Sequence, residues 1–367
     1  FLPLALQQFG LGTYTATDLQ KYLAGKQVNI DPDFRAYSRS IEGSTTPKDL
    51  AAFMEILYMT FKDIQWTEDE FAALQKTYAG VLANQENNPQ FIFSRDLQKA
   101  IFASPFRQAL SANAASNASR TASLDLVHSQ TTNAADWTFT FVGNVDTEAL
   151  RPLVETYIAS LPGNPATAVK TVNNYDPAFF MATGTATDAF TTKMETPQTY
   201  VMIYEVADLP YTVKNAQLAS VVGQILTNRL IKTVREDMGA VYSIGAYGQA
   251  QRTGLGKFSL LTQFPMKPEM KDEVLSYIAS QFKAMESDVT EAELAPVKEY
   301  MVKNYTEGRE KNESWLNAID GYNTNGVDTF NPNIETMNSI TVQDVQDYMK
   351  AINGAGTYRT VILEAAE

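Results

Sequence analysis

Nucleophilic and metal chemistry rests on few side-chain types, and this sequence holds one histidine, His128, and no cysteine. A zinc site built by a protein draws chiefly on imidazole and thiolate ligands, and that supply is missing. Thiol nucleophiles and disulfides are excluded with it. A Ser-His-Asp hydrolase would depend on His128 alone, and no G-x-S-x-G elbow accompanies it. His128 lies in the helical-looking stretch LDLVHSQ, where a solvated or hydrogen-bonded histidine at a helix end is expected, not a metal ligand. The 42 acidic residues are scattered. Sequence spacing does not give the separation that a glycosidase pair of carboxylates requires, so no pair is singled out. GLGK at 254–257 is followed by Phe258 and has no glycine five residues before Gly256, so it reads as a strand-edge turn and not as a phosphate loop.

Charge narrows the partners further. Lys and Arg total 29 against 42 for Asp and Glu, a net charge of −13. No basic block stands out, so the phosphate-neutralising footprint of a nucleic-acid binder is absent. Cationic peptides are the partners such a charge favours, through attraction that salt screens. No apolar run is long enough to predict a membrane span. The opening FLPLALQQFGLGTY has no starting Met, charged n-region or cleavage-like site and reads as a cut start. Absence of cysteine fits a periplasmic or a cytosolic protein, with the bacterial periplasm or cell envelope favoured.

The elements that would position any site come from an internal repeat. Hydrophobic residues make up 44% of 367, enough for packed cores and, by length, for two domains. WTEDEFAALQKTYAGVL from Trp66 aligns with VTEAELAPVKEYMVKNY from Val289, and each copy carries a T-x-x-E capping box, Thr67/Glu70 and Thr290/Glu293. The same offset pairs DWTFTFVGN (136–144) with RTVILEAAE (359–367), each expected to be a buried closing strand. STTPKDLAAFMEILYMTF and KPEMKDEVLSYIASQF are matching amphipathic helices, preceded by the strand-like FRAYSRSIEG and GKFSLLTQFP. TYVMIYEVADLP (199–210) has no counterpart in the first copy, which therefore lacks its opening strands. The stretch 161–187, rich in Pro, Gly, Asn, Ala and Thr, reads as a linker, and SANAASNASRTAS (111–123) as a mobile surface loop. The fold class is α+β, two tandem homologous domains over 1–165 and 166–367, each a mostly antiparallel sheet covered by helices.

RLIKTVREDMGAVYSIGAYG (229–248) resembles the C-terminal signature of the pitrilysin and insulysin type of zinc metallopeptidase. The shared pattern is a helix ending in Arg-x-x-x-Gly, then a small or apolar pair, then a Tyr that starts a strand; here these are Arg235, Gly239 and Tyr242. LGTYTATDLQKYLAGKQVNIDPDFRAYSRSIEGS and FVGNVDTEALRPLVETYIASLP extend the resemblance to the first copy. It implies tandem α+β domains and a zinc centre on an inverted H-x-x-E-H helix. The places where that motif would fall read PLALQ (Pro3 to Gln7) and NRLIK (Asn228 to Lys232), so neither domain is expected to be catalytic or to bind metal, and no cofactor is assigned to this chain. The resemblance implies the C-terminal half of a longer peptidase: an inactive, peptide-enclosing half whose partner, on the same or another polypeptide, carries the zinc. In such a half Tyr242 and Arg235 would serve as oxyanion donor and substrate clamp. The ordinary alternative pairs Arg235 with Glu236 or Asp237 and packs Tyr242 on a sheet face. At the level of the whole chain, the alternative is a non-catalytic structural or peptide-binding paralogue subunit.

Overall fold

The computed structural model describes residues 1–35, 37–144, 146–169, 175–251 and 256–366. Ala36 of FRAYSRSIEG, Val145, residues 170–174 of the linker, residues 252–255 with Gly254 and Leu255 of GLGK, and the terminal Glu367 lie outside it. In chain order the elements are α1 (Leu2–Ala5), β1 (Gly10–Leu11), α2 (Ala16–Leu23), β2 (Val28–Phe34), β3 (Arg39–Thr45), α3 (Leu50–Lys62), β4 (Ile64–Gln65), α4 (Glu68–Gln85), α5 (Pro89–Ile101), α6 (Ala112–Ser116), α7 (Arg120–Thr131) and α8 (Thr147–Leu153). They continue with β5 (Thr185–Thr192), β6 (Thr199–Asp208), α9 (Val213–Leu230), β7 (Ala246–Ala250), β8 (Lys257–Met266), α10 (Lys271–Ala284), α11 (Glu291–Gly308), α12 (Asn312–Asn325), α13 (Asn333–Ser339), α14 (Val342–Gly354) and β9 (Tyr358–Ala365). The class is mixed α+β, and among the described residues only β5 and β9 pair in parallel. Two compact units emerge, residues 1–87 with 109–175, and residues 88–108 with 176–367.

In the second unit the sheet has five strands in the order β5-β9-β6-β8-β7. Period-2 alternation along β6 sends Val201 and Ile203 to one face, against α9, α10 and α14, and Met202 and Tyr204 to the other, against Ile92, Phe93, Leu97 and Ile101 of α5. Both faces are covered, which is why β6 reads as a nearly unbroken apolar run.

The first unit holds two short antiparallel pairs, β1 with β4 and β2 with β3. The strand expected over 136–144 is corrected: the segment is not a strand. Trp137, Phe139 and Phe141 nevertheless pack against the helix face formed by Phe53, Met54, Leu57 and Phe61. The physical reason lies in pairing. Its repeat partner β9 sits between β5 and β6, and those two strands have no counterpart among residues 1–165. The loop expected over 111–123 is likewise corrected, since it forms α6 and the first turn of α7. Ser111 and Ser119 each accept a hydrogen bond from the amide three residues on, Ala114 and Ala122, and the alanines between supply helix propensity. The capping boxes form as the repeat implies: Glu70 accepts from the Thr67 amide and Glu293 from the Thr290 amide, both at 2.9 Å.

One residue works against this packing. Glu205 on β6 is 4% exposed, and its Oε2 has no hydrogen-bond partner among the described residues. Burial first, then the Glu286 carboxylate, pushes its pKa up to about 8, with Lys283 pulling the other way and Tyr358 beside it on β9. The folded state therefore holds a proton that the unfolded chain releases near its ordinary pKa of 4.5. Stability is full below that pH and is lost as pH rises toward 8, by roughly a few kcal/mol in all. Glu205→Gln should remove this slope: melting temperatures of the two proteins will lie closer at pH 5 than at pH 8, where the variant melts higher.

Candidate functional site

The site predicted from Arg235 and Tyr242 lies at the end of α9. This helix buries Leu218, Val221, Val222, Ile225, Leu226 and Leu230 against the sheet and runs directly into a wide π-helical turn, Ile231–Asp237. The turn is anchored on its inner side by Val234, fully buried, and by the Tyr277 hydroxyl, which donates to Thr233 Oγ1 at 2.9 Å. Arg235, Glu236 and Asp237 occupy its outer side and are exposed. Gly239 reverses the chain at φ +61°, a left-handed conformation that favours glycine, and the Ala240 amide donates back to the Val234 carbonyl at 3.0 Å.

From there burial alternates sharply. Ala240, Val241, Ile244 and Ala246 are buried, whereas Tyr242 is 90% exposed. The expectation that Tyr242 starts a strand is corrected: β7 begins four residues later, and Tyr242 stands on the loop before it. Hydroxyls outside the loop hold its far end. Thr227 on α9 donates to the Ala246 carbonyl at 3.0 Å and accepts from the Ala246 amide at 2.7 Å, while Thr262 on β8 donates to the Gly245 carbonyl at 2.8 Å. These two threonines were not singled out in the sequence, because nothing local marks a hydroxyl that reaches another element. Tyr242 thus does not pack on the sheet, and Arg235 makes no ion pair with Glu236 or Asp237 among the described residues. Both side chains stand in solvent on one loop-and-turn segment, as free donors.

Metal binding is a separate question. Leu2, Ala5 and Leu6 around PLALQ are core residues of the first unit. In NRLIK, Leu230 is buried, and the Arg229 guanidinium is committed to Glu293, at 2.7 and 3.1 Å, and to Asp288 at 2.9 Å. Burial works against charge on Glu293, but its bonds from Arg229 and the Thr290 amide hold the carboxyl below its ordinary range. Among the described residues no group of three or more His, Cys, Asp and Glu is placed to hold a metal ion. The residues of this chain do not fit zinc. His128, near the end of α7, has Nε2 3.0 Å from the Ile64 carbonyl oxygen, a hydrogen-bonded helix-end histidine.

Beside Tyr242 runs a groove of about 580 Å3, bounded by Ser220, Gln224 and Thr227 of α9 and by the main chain from Ser243 to Gln249. Its floor is close-packed backbone. A Cβ placed on Gly248 would lie 1.7 Å from the Ala219 carbonyl oxygen, and one on Gly223 would lie 2.5 Å from the Gly248 nitrogen.

Residues 123–301 match the family model described as the Peptidase M16 inactive domain. A search of curated proteins found no match. Among solved structures, the periplasmic protease PqqL from Escherichia coli superposes with a TM-score of 0.83 at 17% identity, over 100% of this chain and 40% of that one. The ferredoxin protease FusC, solved in complex with Arabidopsis ferredoxin, gives 0.81 at 16% identity, with 100% and 40% covered. A peptidase M16 inactive domain from Pseudomonas fluorescens gives 0.81 at 16% identity, over 100% of this chain and 88% of that one. These likenesses show the fold, and the chain spans 40% of the length of the first two.

The floor of the groove can be tested directly. Gly248→Ala must push α9 away from β7 and should cost on the order of 1–3 kcal/mol, lowering the melting temperature by several degrees. Gly245→Ala, whose Cβ would meet nothing nearer than 3.7 Å, should melt close to the parent in the same scan.

Proposed function

Since the chain carries the Peptidase M16 inactive domain over residues 123–301 and has the fold of M16 proteases, we propose that it encloses peptide substrate as the non-catalytic half of a zinc metalloendopeptidase and lends Arg235 and Tyr242 to a zinc site on the catalytic half. One observation carries this reading: Tyr242 is 90% exposed on a loop that buries Val241 and Ile244, and Arg235, on the π-helical turn before it, is exposed without an ion-pair partner among the described residues. A folded protein gains little by tying down a loop at Val241, Ile244 and Ala246 to hold a tyrosine in water, unless the tyrosine is needed there.

The zinc of the other half would activate water and polarise the scissile carbonyl. The residues of this chain would complete the site. Tyr242 would donate its phenol hydrogen to the oxyanion that forms as water adds to the peptide carbonyl, where a preorganised donor is worth most. Arg235 would hold the substrate main chain through its planar fork of donors. The catalytic half, on the same or another polypeptide, is the partner and peptides are the substrates. The compartment this reading favours is the bacterial periplasm or cell envelope, supported by the periplasmic protease among the structural neighbours.

In the enzyme reconstituted with a zinc-bearing half, Tyr242→Phe removes one oxyanion donor and should lower kcat by about 10²-fold while leaving the melting temperature in place. Arg235→Lys keeps the charge but loses the fork, so KM should rise more than kcat falls. Steady-state kinetics and a thermal melt on both variants read these outcomes. Unchanged turnover in both would return the pair to the protein surface.

A further inference from the structure

α12 buries none of its 14 residues, and among the described residues none of them joins an apolar core of the second unit. A helix of that length is marginal in water unless it packs an apolar face. Here such a face is turned outward. Trp315, Ile319 and Tyr322 follow one another at i, i+4 and i+7, the spacing of one helical stripe, and are 38%, 36% and 56% exposed. The stripe runs for about 10 Å at about 1.5 Å per residue. Contiguous apolar side chains left in water mark a surface made for contact.

Both ends of the stripe are fixed from within the chain. Trp315 Nε1 donates to the Arg309 carbonyl at 2.8 Å, and its ring lies 4.6 Å from that of Phe330, over which the Arg309 guanidinium also stands. That guanidinium donates to the Phe330 and Asn331 carbonyls and to Asn333 Oδ1, so it is committed to oxygens of this chain. At the other end Gly326, at φ +69°, stops the helix and donates its amide to the Tyr322 carbonyl at 2.8 Å.

Charge decides the occupant. α12 carries Glu313 and Asp320 and no basic residue. Seven apart, they share a flank of the helix, about a third of a turn round from Ile319. Both are exposed, and neither forms an ion pair among the described residues. A second copy of this chain would bring its own −13 against these carboxylates, and an anionic lipid surface would be repelled in the same way.

We propose that α12 is a docking face for a basic amphipathic helix of a partner polypeptide, whose apolar side chains cover Trp315, Ile319 and Tyr322 and whose Lys or Arg side chains pair with Glu313 and Asp320. Anchors repeated over two turns are the pattern by which one helix reads another surface. A cation that reaches over the exposed rings of Trp315 or Tyr322 adds to the attraction. The ion pairs are exposed and screened by salt, so they set the sign of the partner, and the covered stripe contributes more of the affinity. The inference goes beyond the peptidase reading and rests on neither Arg235 nor Tyr242.

The test uses the full chain with no zinc half. The probe is a fluorescein-labelled, end-blocked peptide of Leu and Lys with its leucines at helical spacing on one face, followed by fluorescence polarisation. One control carries Glu in place of Lys, and the other has the same composition with Leu and Lys in strict alternation. We expect saturable binding of the probe that weakens by about tenfold between about 0.1 and about 0.5 M salt, with both controls weaker by about tenfold or more. Ile319→Ser combined with Tyr322→Ser should weaken binding by about tenfold or more and leave the melting temperature in place, since both side chains are exposed in the parent. Glu313→Lys combined with Asp320→Lys should reverse the preference, so that the Glu peptide binds more tightly than the Lys peptide. No saturable binding, equal affinity for either control, or full affinity in the Ile319→Ser, Tyr322→Ser chain would each overturn the proposal. So would a dimer in solution that the same double substitution dissociates, because the face would then belong to a second copy.

Discussion

The second unit turns on a contact without side chains, the backbone of α9 against the backbone of β7 at Gly223 and Gly248. Because no Cβ separates them, the helix lies close enough for Thr227 to reach Ala246, and that bond fixes where β7 starts. The start of β7 in turn fixes which residues of the preceding loop turn inward. Val241 and Ile244 enter the core and Tyr242 does not. A single close approach thus sets the groove, the loop and the exposure of the tyrosine together. Every other contact of α9, from Leu218 to Leu230, is ordinary apolar burial that many residue choices would satisfy.

The two copies of the capped helix use one carboxylate in two ways. Glu70 and Glu293 each cap their own helix, and each also reaches beyond it: Glu70 Oε1 accepts from the Ala16 amide at 3.1 Å, and Glu293 binds Arg229 through both oxygens. In the first unit the second bond fixes the start of α2. In the second unit it ties α9, just before the π-helical turn that carries Arg235, to the start of α11. The two helices share the local device and differ in its long-range partner.

Much of this was legible in the sequence, and the boundary between legible and not follows the range of the interaction. The capping boxes span three residues and could be read directly. So could the alternation of β8 and the near-continuous apolar run of β6, because burial on one face or two leaves a periodic trace. The helical turns over 112–123 were missed because their signal, Ser111 and Ser119 as caps, lies within a stretch with no apolar period. Residues 136–144 were read correctly as apolar and extended, yet a strand also requires neighbouring strands, and those that flank β9 have no counterpart among residues 1–165. The exposure of Tyr242 was beyond reach for the same reason, since it depends on hydroxyls that stand 15 and 20 residues away at Thr227 and Thr262.

The same division between local and long-range interactions applies at the end of α9. At the end of α9, where the resemblance would place a zinc motif, this chain puts Leu230 in the core and Arg229 in a partly buried, bidentate ion pair with Glu293. Breaking that pair by removing one partner would strand a charge, which makes the arrangement costly to reverse by single substitutions. The backbone around it is under no such pressure to change. A glycine contact and a loop that exposes a donor do not depend on a metal ion. What remains is a close helix–strand contact at Gly248 and an exposed hydroxyl at Tyr242, both set by packing within the second unit.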